Sequence, residues 1–265
     1  KFFRSYAFVL AGNATAGILS FLISVLLSRS MSMEGFGAFS LFFTIATLVW
    51  QLPAFLDSTY IRYARTASPE EADRLLRVNL VYKIRGSGLT IGLAPLAGWI
   101  LSRFLFPGKA SPLLLGAAVV TGGLMTFLNS SMADDQARER FERYALWTIS
   151  FYACVLAVIV PLAGGNRHLT PPAAGAVFLG AAAAVGFVSF RRLFRRIRPL
   201  VPLDTGSRDR MLSLGKWILV TNLLYIVLQR IDMLIIGHLV SPTDLGVYSA
   251  ASRLLSALTI FLSAA

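Results

Sequence analysis

Eight apolar runs dominate the chain, near residues 6–29, 38–61, 87–106, 113–133, 144–163, 172–190, 213–237 and 246–265. Each is close to the length that a helix needs to cross about 30 Å of hydrocarbon at about 1.5 Å of rise per residue. The runs predict an all-α polytopic membrane protein with eight visible transmembrane helices. Composition agrees, because 56% hydrophobic and only 14% charged residues leave too little polar surface for a single soluble core.

Basic residues then orient the spans, since cytoplasmic segments retain lysine and arginine. With the N-terminus inside, the inner segments hold 19 of the 25 lysines and arginines. They are Lys1 and Arg4, those from Arg62 to Arg85, from Arg138 to Arg143, and from Arg191 to Lys216. The outer loops keep Arg29, Arg103, Lys109 and Arg167, while Arg230 and Arg253 fall inside spans. This placement explains the net charge of +12 through lipid headgroups and gives no reason to invoke nucleic acid.

Several other signals exclude more than they suggest. The first apolar run is too long for a signal-peptide core, carries Asn13 and is followed by further spans, so it reads as a first helix. Cys154 is the only cysteine, which rules out an internal disulfide framework. His168 and His238 stand in or beside outer loops without a ligand cluster, and "RGSGLTIG" near Gly86 fits no nucleotide fingerprint. No cofactor is expected.

An offset of 209 residues lays "SMEGFGAFS" (32–40) over "SPTDLGVYS" (241–249) and pairs Asn13 with Asn222, Gly37 with Gly246, and Phe39 with Tyr248. Helix, outer loop and helix recur in the same order, which predicts a parallel internal repeat. The first lobe would span 1–190, a basic cytoplasmic linker 191–210, and the start of a second lobe 211–265. A second lobe equal to the first needs more helices than follow here, and the chain starts without methionine, so the sequence is expected to be part of a longer one. Residues 68–79 and 134–147 read as short surface helices on the inner face.

The segments "QRIDMLIIGHLVSPTDLGVYSAASRL" (229–254), "MSMEGFGAFSLF", "DSTYIRYA" and "QARERFERYALW" give the chain a family likeness. It resembles bacterial polysaccharide flippases of the O-antigen type, within the multidrug, oligosaccharidyl-lipid and polysaccharide exporter superfamily. The resemblance implies 12 to 14 helices in two lobes around a cavity open alternately to each side. It also implies a substrate built as an oligosaccharide on polyprenyl pyrophosphate, a place in the bacterial cytoplasmic membrane, and glycosyltransferases or a polymerase of the same pathway as partners.

Ionisable groups at membrane depth cost about 2.5–3.5 kcal/mol on insertion scales, so they meet partners or a watery cavity. Arg230 and Arg253 are candidates for binding an anionic headgroup, because guanidinium forks match phosphate oxygens. Asn13, Gln51, Asn222 and Arg85 are further substrate-binding candidates, and Asp232 and Asp57 are candidates for ion coupling or gating. The plainer alternatives are an Asp232–Arg253 ion pair, an Asp57–Arg62 interfacial pair, and Lys83 with Arg85 as positive-inside anchors. Pro53, which has no amide donor, is expected to kink the second run.

The leading function is therefore a flippase for lipid-linked oligosaccharide, which needs no covalent chemistry and no enzyme activity. The alternatives are an ion-coupled exporter of small cations or drugs, which calls for a carboxylate-lined cavity, and a membrane scaffold that gathers glycan-assembly enzymes.

Overall fold

The computed structural model describes residues 2–164, 168–197 and 204–264, with side chains described only between 7 and 255. Lys1, Arg167 and the linker prolines Pro199 and Pro202 lie outside the described residues, as do the side chains of Arg4 and of the last predicted span beyond 255.

Among the described residues every element is a helix: α1 (Phe2–Ser30), α2 (Met33–Gln51), α3 (Ala54–Ala64), α4 (Pro69–Gly92), α5 (Ala94–Ile100, continued by a π-helical turn, Leu101–Leu105), α6 (Pro112–Ala137), α7 (Phe141–Gly164), α8 (Pro171–Arg196), α9 (Thr205–Leu239) and α10 (Pro242–Ala264). Helix closes all backbone hydrogen bonds within one segment, which lipid demands. Starts are written locally. Ser32, Ser68, Ser111 and Ser241 each accept a first-turn amide at 3.1–3.2 Å. Proline follows the last three of these serines, where its missing amide costs nothing.

Among the described residues, six segments are long and apolar enough to cross a membrane, or up to seven if the pair α4 and α5, bent by 54°, counts as one span. Eight are not shown, because the last run lies partly outside the described side chains. Two expectations change. Residues 68–79 form no separate surface helix but the first turns of α4, because Ser68 caps a run that continues unbroken to Gly92. Residues 134–147 also form no helix of their own, since α6 ends at Ala137 and α7 begins at Phe141, with Glu139 at φ 57° in the turn between them.

The break anticipated at Pro53 is present, between α2 and α3. Central to the bundle is α6, which touches α2, α3, α4, α5, α7 and α8. Small residues permit this: a Cβ on Gly122 would lie 2.6 Å from the Ala46 carbonyl, and one on Gly98 2.3 Å from that of Pro112. Phe39, Phe42, Phe151 and Phe178 fill the space between α2, α7 and α8.

At the end where most arginines collect, the basic end, two adjacent buried carboxylates on α6 tie it to α3, α7 and α8. Asp134 accepts from Tyr60 (2.9 Å), Arg138 (2.8 Å) and Arg196 (2.7 Å). Asp135 takes both terminal nitrogens of Arg192 (2.6 and 2.5 Å) and the Trp147 indole (3.1 Å). Arg138 also reaches Asp73 on α4 at 2.6 Å. These arginines are thus structural members as well as positive-end anchors.

Candidate functional site

Helices α1, α2, α6, α7, α9 and α10 surround a cavity of about 440 Å³. Its polar wall comes from two stripes at helical spacing: Asn13, Gly17, Ser20 and Ser24 on α1, and Ser40, Thr44, Thr47 and Gln51 on α2. Steps of four, three and four residues keep each set on one face. The 209-residue offset pairs Ser40 with Ser249 on α10 and Thr44 with Arg253, and all four line the space.

Arg253 enters from α10. Its Nη1 donates to Ser24 Oγ at 2.6 Å, and its guanidinium lies 5.3, 5.9 and 5.0 Å from the ring centres of Phe36, Phe39 and Phe43. Ring faces attract the cation without neutralising it. Arg230 enters from α9, and its buried Nε has no hydrogen-bond partner. Neither guanidinium forms an ion pair among the described residues. None of the described lining residues is acidic. Two further lining donors, Ser40 Oγ and Trp50 Nε1, are also buried without partners. The result is a positively charged space with free donors.

Of the eight residues expected from sequence, Arg230, Arg253, Asn13 and Gln51 line this cavity. Asn222, half-buried on α9, and Arg85, exposed on α4, do not. Arg85 points away because Lys83, two positions earlier, takes the inward face.

Both expected acids stand elsewhere. Asp57 pairs with Lys83, accepts from Asn79 Nδ2 at 3.0 Å, and is buried between α3, α4 and α6, where Lys83 also donates to the Thr126 carbonyl at 3.2 Å. This replaces the Asp57–Arg62 pair, and Lys83 is a buried partner rather than an interfacial anchor. Asp232 accepts from Tyr248 on α10 at 2.5 Å and attracts Arg230 electrostatically. It makes no ion pair with Arg253, which Ser24 and the three phenylalanine rings hold instead.

Trp50, Ser24 and the phenylalanine cage went unanticipated. The serine and threonine stripes were the available signal, because hydroxyls repeated on one face of an apolar helix mark a wall that does not meet lipid.

At the end opposite the basic one, α9 and α10 pack against the earlier helices, α10 chiefly on α2. Lys109 Nζ caps α9 by donating to the carbonyls of Gly237 (2.8 Å) and His238 (2.5 Å). His238 Nδ1 lies 2.7 Å from the Leu105 carbonyl, and α2 packs on α10 through glycines. At the basic end Arg210 of α9 stacks on Tyr63 at 4.4 Å and pairs with Glu71 at 3.2 Å.

Fold and site define a multi-pass helical membrane protein that encloses a cationic cavity between two sets of helices. The chain belongs to the polysaccharide biosynthesis protein family, whose profile matches residues 25–265. Solved structures share the fold. A chain described as protein A has a TM-score of 0.76 at 13% identity, covering 97% of this chain and 60% of its own length. A MOP superfamily transporter from Pyrococcus furiosus Vc1 (DSM3638) has a TM-score of 0.62 at 12% identity, covering 97% and 65%. For that protein, a reversed polarity of the binding pocket is described as suggesting a different function. The present chain therefore spans less than two thirds of either structure. No curated protein matches the sequence.

Proposed function

We propose that the protein is a transporter that moves a polyprenyl-pyrophosphate-linked oligosaccharide across the bacterial cytoplasmic membrane by alternating access, as the first part of a two-lobe, 12- to 14-helix assembly. One observation carries the reading: two guanidiniums line the cavity without an ion-pair contact, and none of its described lining residues is a carboxylate. A desolvated arginine with free donors is matched by phosphate oxygens, which accept paired hydrogen bonds and supply the missing charge. The family's link to polysaccharide biosynthesis supplies the chemical context.

The basic end faces the cytoplasm in this reading, by the positive-inside rule. The polyprenyl tail stays in lipid while the headgroup enters the cavity, and Asp232 restrains Arg230 when the site is empty. Glycosyltransferases or a polymerase of the same pathway supply and consume the substrate. A small-cation exporter fits less well, because Arg230 and Arg253 repel the cargo and the cavity offers it no carboxylate.

The test is leaflet translocation of a labelled polyprenyl-pyrophosphate oligosaccharide in proteoliposomes, comparing parent protein with Arg230→Gln and Arg253→Gln. Movement by the parent, reduced at least about tenfold in each folded variant, is the expected result. Movement unchanged in both variants overturns the assignment of the site.

A further inference from the structure

The cavity is chemically unequal along its length. Arg253 and Ser24 occupy the part toward the glycine-packed end. Asn13, Trp50, Gln51 and Thr148 occupy the part toward the basic end, and none of these four is charged. Ser24 and Asn13 lie on the same helix, so the two parts are about 16 Å apart along α1 at about 1.5 Å per residue.

The uncharged part has the donors and surfaces that a sugar ring needs. Asn13 and Gln51 each offer an amide carrying both donors and an acceptor, and Thr148 a hydroxyl. Trp50 adds a flat apolar face for the C–H side of a pyranose and one indole N–H. That N–H is buried and has no partner. An unpaired buried donor carries a desolvation cost that a bound hydroxyl removes. A lipid-facing role does not account for it, since Trp50 lines the cavity.

We infer that Trp50, with Asn13 and Gln51, forms a saccharide subsite separate from the guanidinium pair, so the headgroup binds with one polarity. Its phosphates lie at Arg230 and Arg253 and its glycan runs toward the basic end. The separation exceeds one sugar ring, so Trp50 reads a sugar beyond the one attached to phosphate. This inference rests on the headgroup reading above and adds the direction of binding and a residue that selects the glycan.

Two probes separate the subsites: farnesyl pyrophosphate, and farnesyl pyrophosphate carrying a trisaccharide of N-acetylglucosamine. Affinities are measured by calorimetry on the detergent-solubilised protein, on Trp50→Phe, which keeps a ring but loses the N–H, on Trp50→Leu, and on Arg253→Gln. The trisaccharide probe should bind the parent more tightly than the bare probe. Trp50→Phe should weaken only the trisaccharide probe, by about fivefold, and Trp50→Leu by about thirtyfold. Arg253→Gln should weaken both probes. Equal affinity of the parent for the two probes, or a Trp50→Phe effect identical on both, overturns the saccharide subsite while leaving the phosphate site standing. No binding of either probe overturns both.

Discussion

Gly37 and Gly246 meet across the α2–α10 crossing, and each stands where the other helix leaves no room for a side chain. A Cβ on Gly37 would lie 2.2 Å from the Pro242 carbonyl oxygen, and one on Gly246 would lie 2.1 Å from that of Met33. The offset of 209 that pairs the two glycines also pairs Met33 with Pro242. The contact is therefore reciprocal, the pattern expected at a two-fold axis, here relating two segments of one chain. The alternating access proposed above would need this contact to part, and backbone packed on backbone closes tightly without any side chain to disentangle.

Gly246→Ala should force this crossing apart, because the obstructing atom is a backbone oxygen that cannot rotate away. Overpacking of this kind costs about 1–3 kcal/mol. Spin labels at Glu34 and Thr243, both exposed near the crossing, should report a longer mean distance in the variant. An unchanged distance distribution would show that the glycines do not set closure.

Lys83 and Asp57 make the opposite kind of contact, charged and enclosed. Lys83 is 1% exposed and Asp57 6%, so removing either leaves an uncompensated buried charge. Lys83→Met should destabilise the protein by about 3–5 kcal/mol, and the double variant Lys83→Met with Asp57→Asn by less than Lys83→Met alone. Denaturant titration in detergent measures both. A double variant at least as unstable as the sum of the singles would mean that the pair is not a coupled unit.

Helix identity was legible because lipid and the 20-residue span leave few alternatives. Polarity of individual residues was less so. Lys83 reads as an interfacial anchor from its place beside Arg85, yet α4 begins as early as Pro69, which carries Lys83 to a buried depth. Arg230 and Arg253 were identifiable as charges inside apolar runs. Trp50 was not, because a tryptophan near the end of an apolar run usually marks the membrane interface. Its place in the cavity wall follows from α2 itself, where Trp50 stands three residues after Thr47 and beside Gln51 at the end of the polar stripe.

The start of α9 carries a pH prediction outside the membrane. Asp204 caps the helix, accepting from the Ser207 hydroxyl (2.6 Å) and from the amides of Ser207 (3.0 Å) and Gly206 (3.2 Å). These bonds, the hydroxyl's foremost, lower its pKa below the ordinary 3.8. A depressed carboxyl pKa adds stability that is complete above the unfolded value and fades as pH falls through the folded one. Amide exchange at residues 205–208, corrected for its intrinsic pH dependence, should therefore lose protection as pH drops below about 4. Asp204→Asn, which caps without titrating, should show no such step, and a parent with flat protection through that range would refute the cap's role.

Arg253 should not be replaceable by lysine. Its guanidinium is approached by three phenylalanine rings at 5.0–5.9 Å while Nη1 bonds Ser24. A planar, weakly hydrated cation stacks against rings and still presents a fork to an anion, whereas an ammonium is compact, strongly hydrated and without the paired geometry. Arg253→Lys keeps the charge but has to shed more water to enter the same cage, and it cannot reach Ser24 and a phosphate with the same fork. Binding of farnesyl pyrophosphate should fall by about tenfold, most of the loss seen in Arg253→Gln, with little change in thermal stability. Calorimetry on the three proteins decides the matter. Full affinity in the lysine variant would mean that the cavity uses only net positive charge, and that the ring cage serves to pack the helix rather than to shape the cation that meets the substrate.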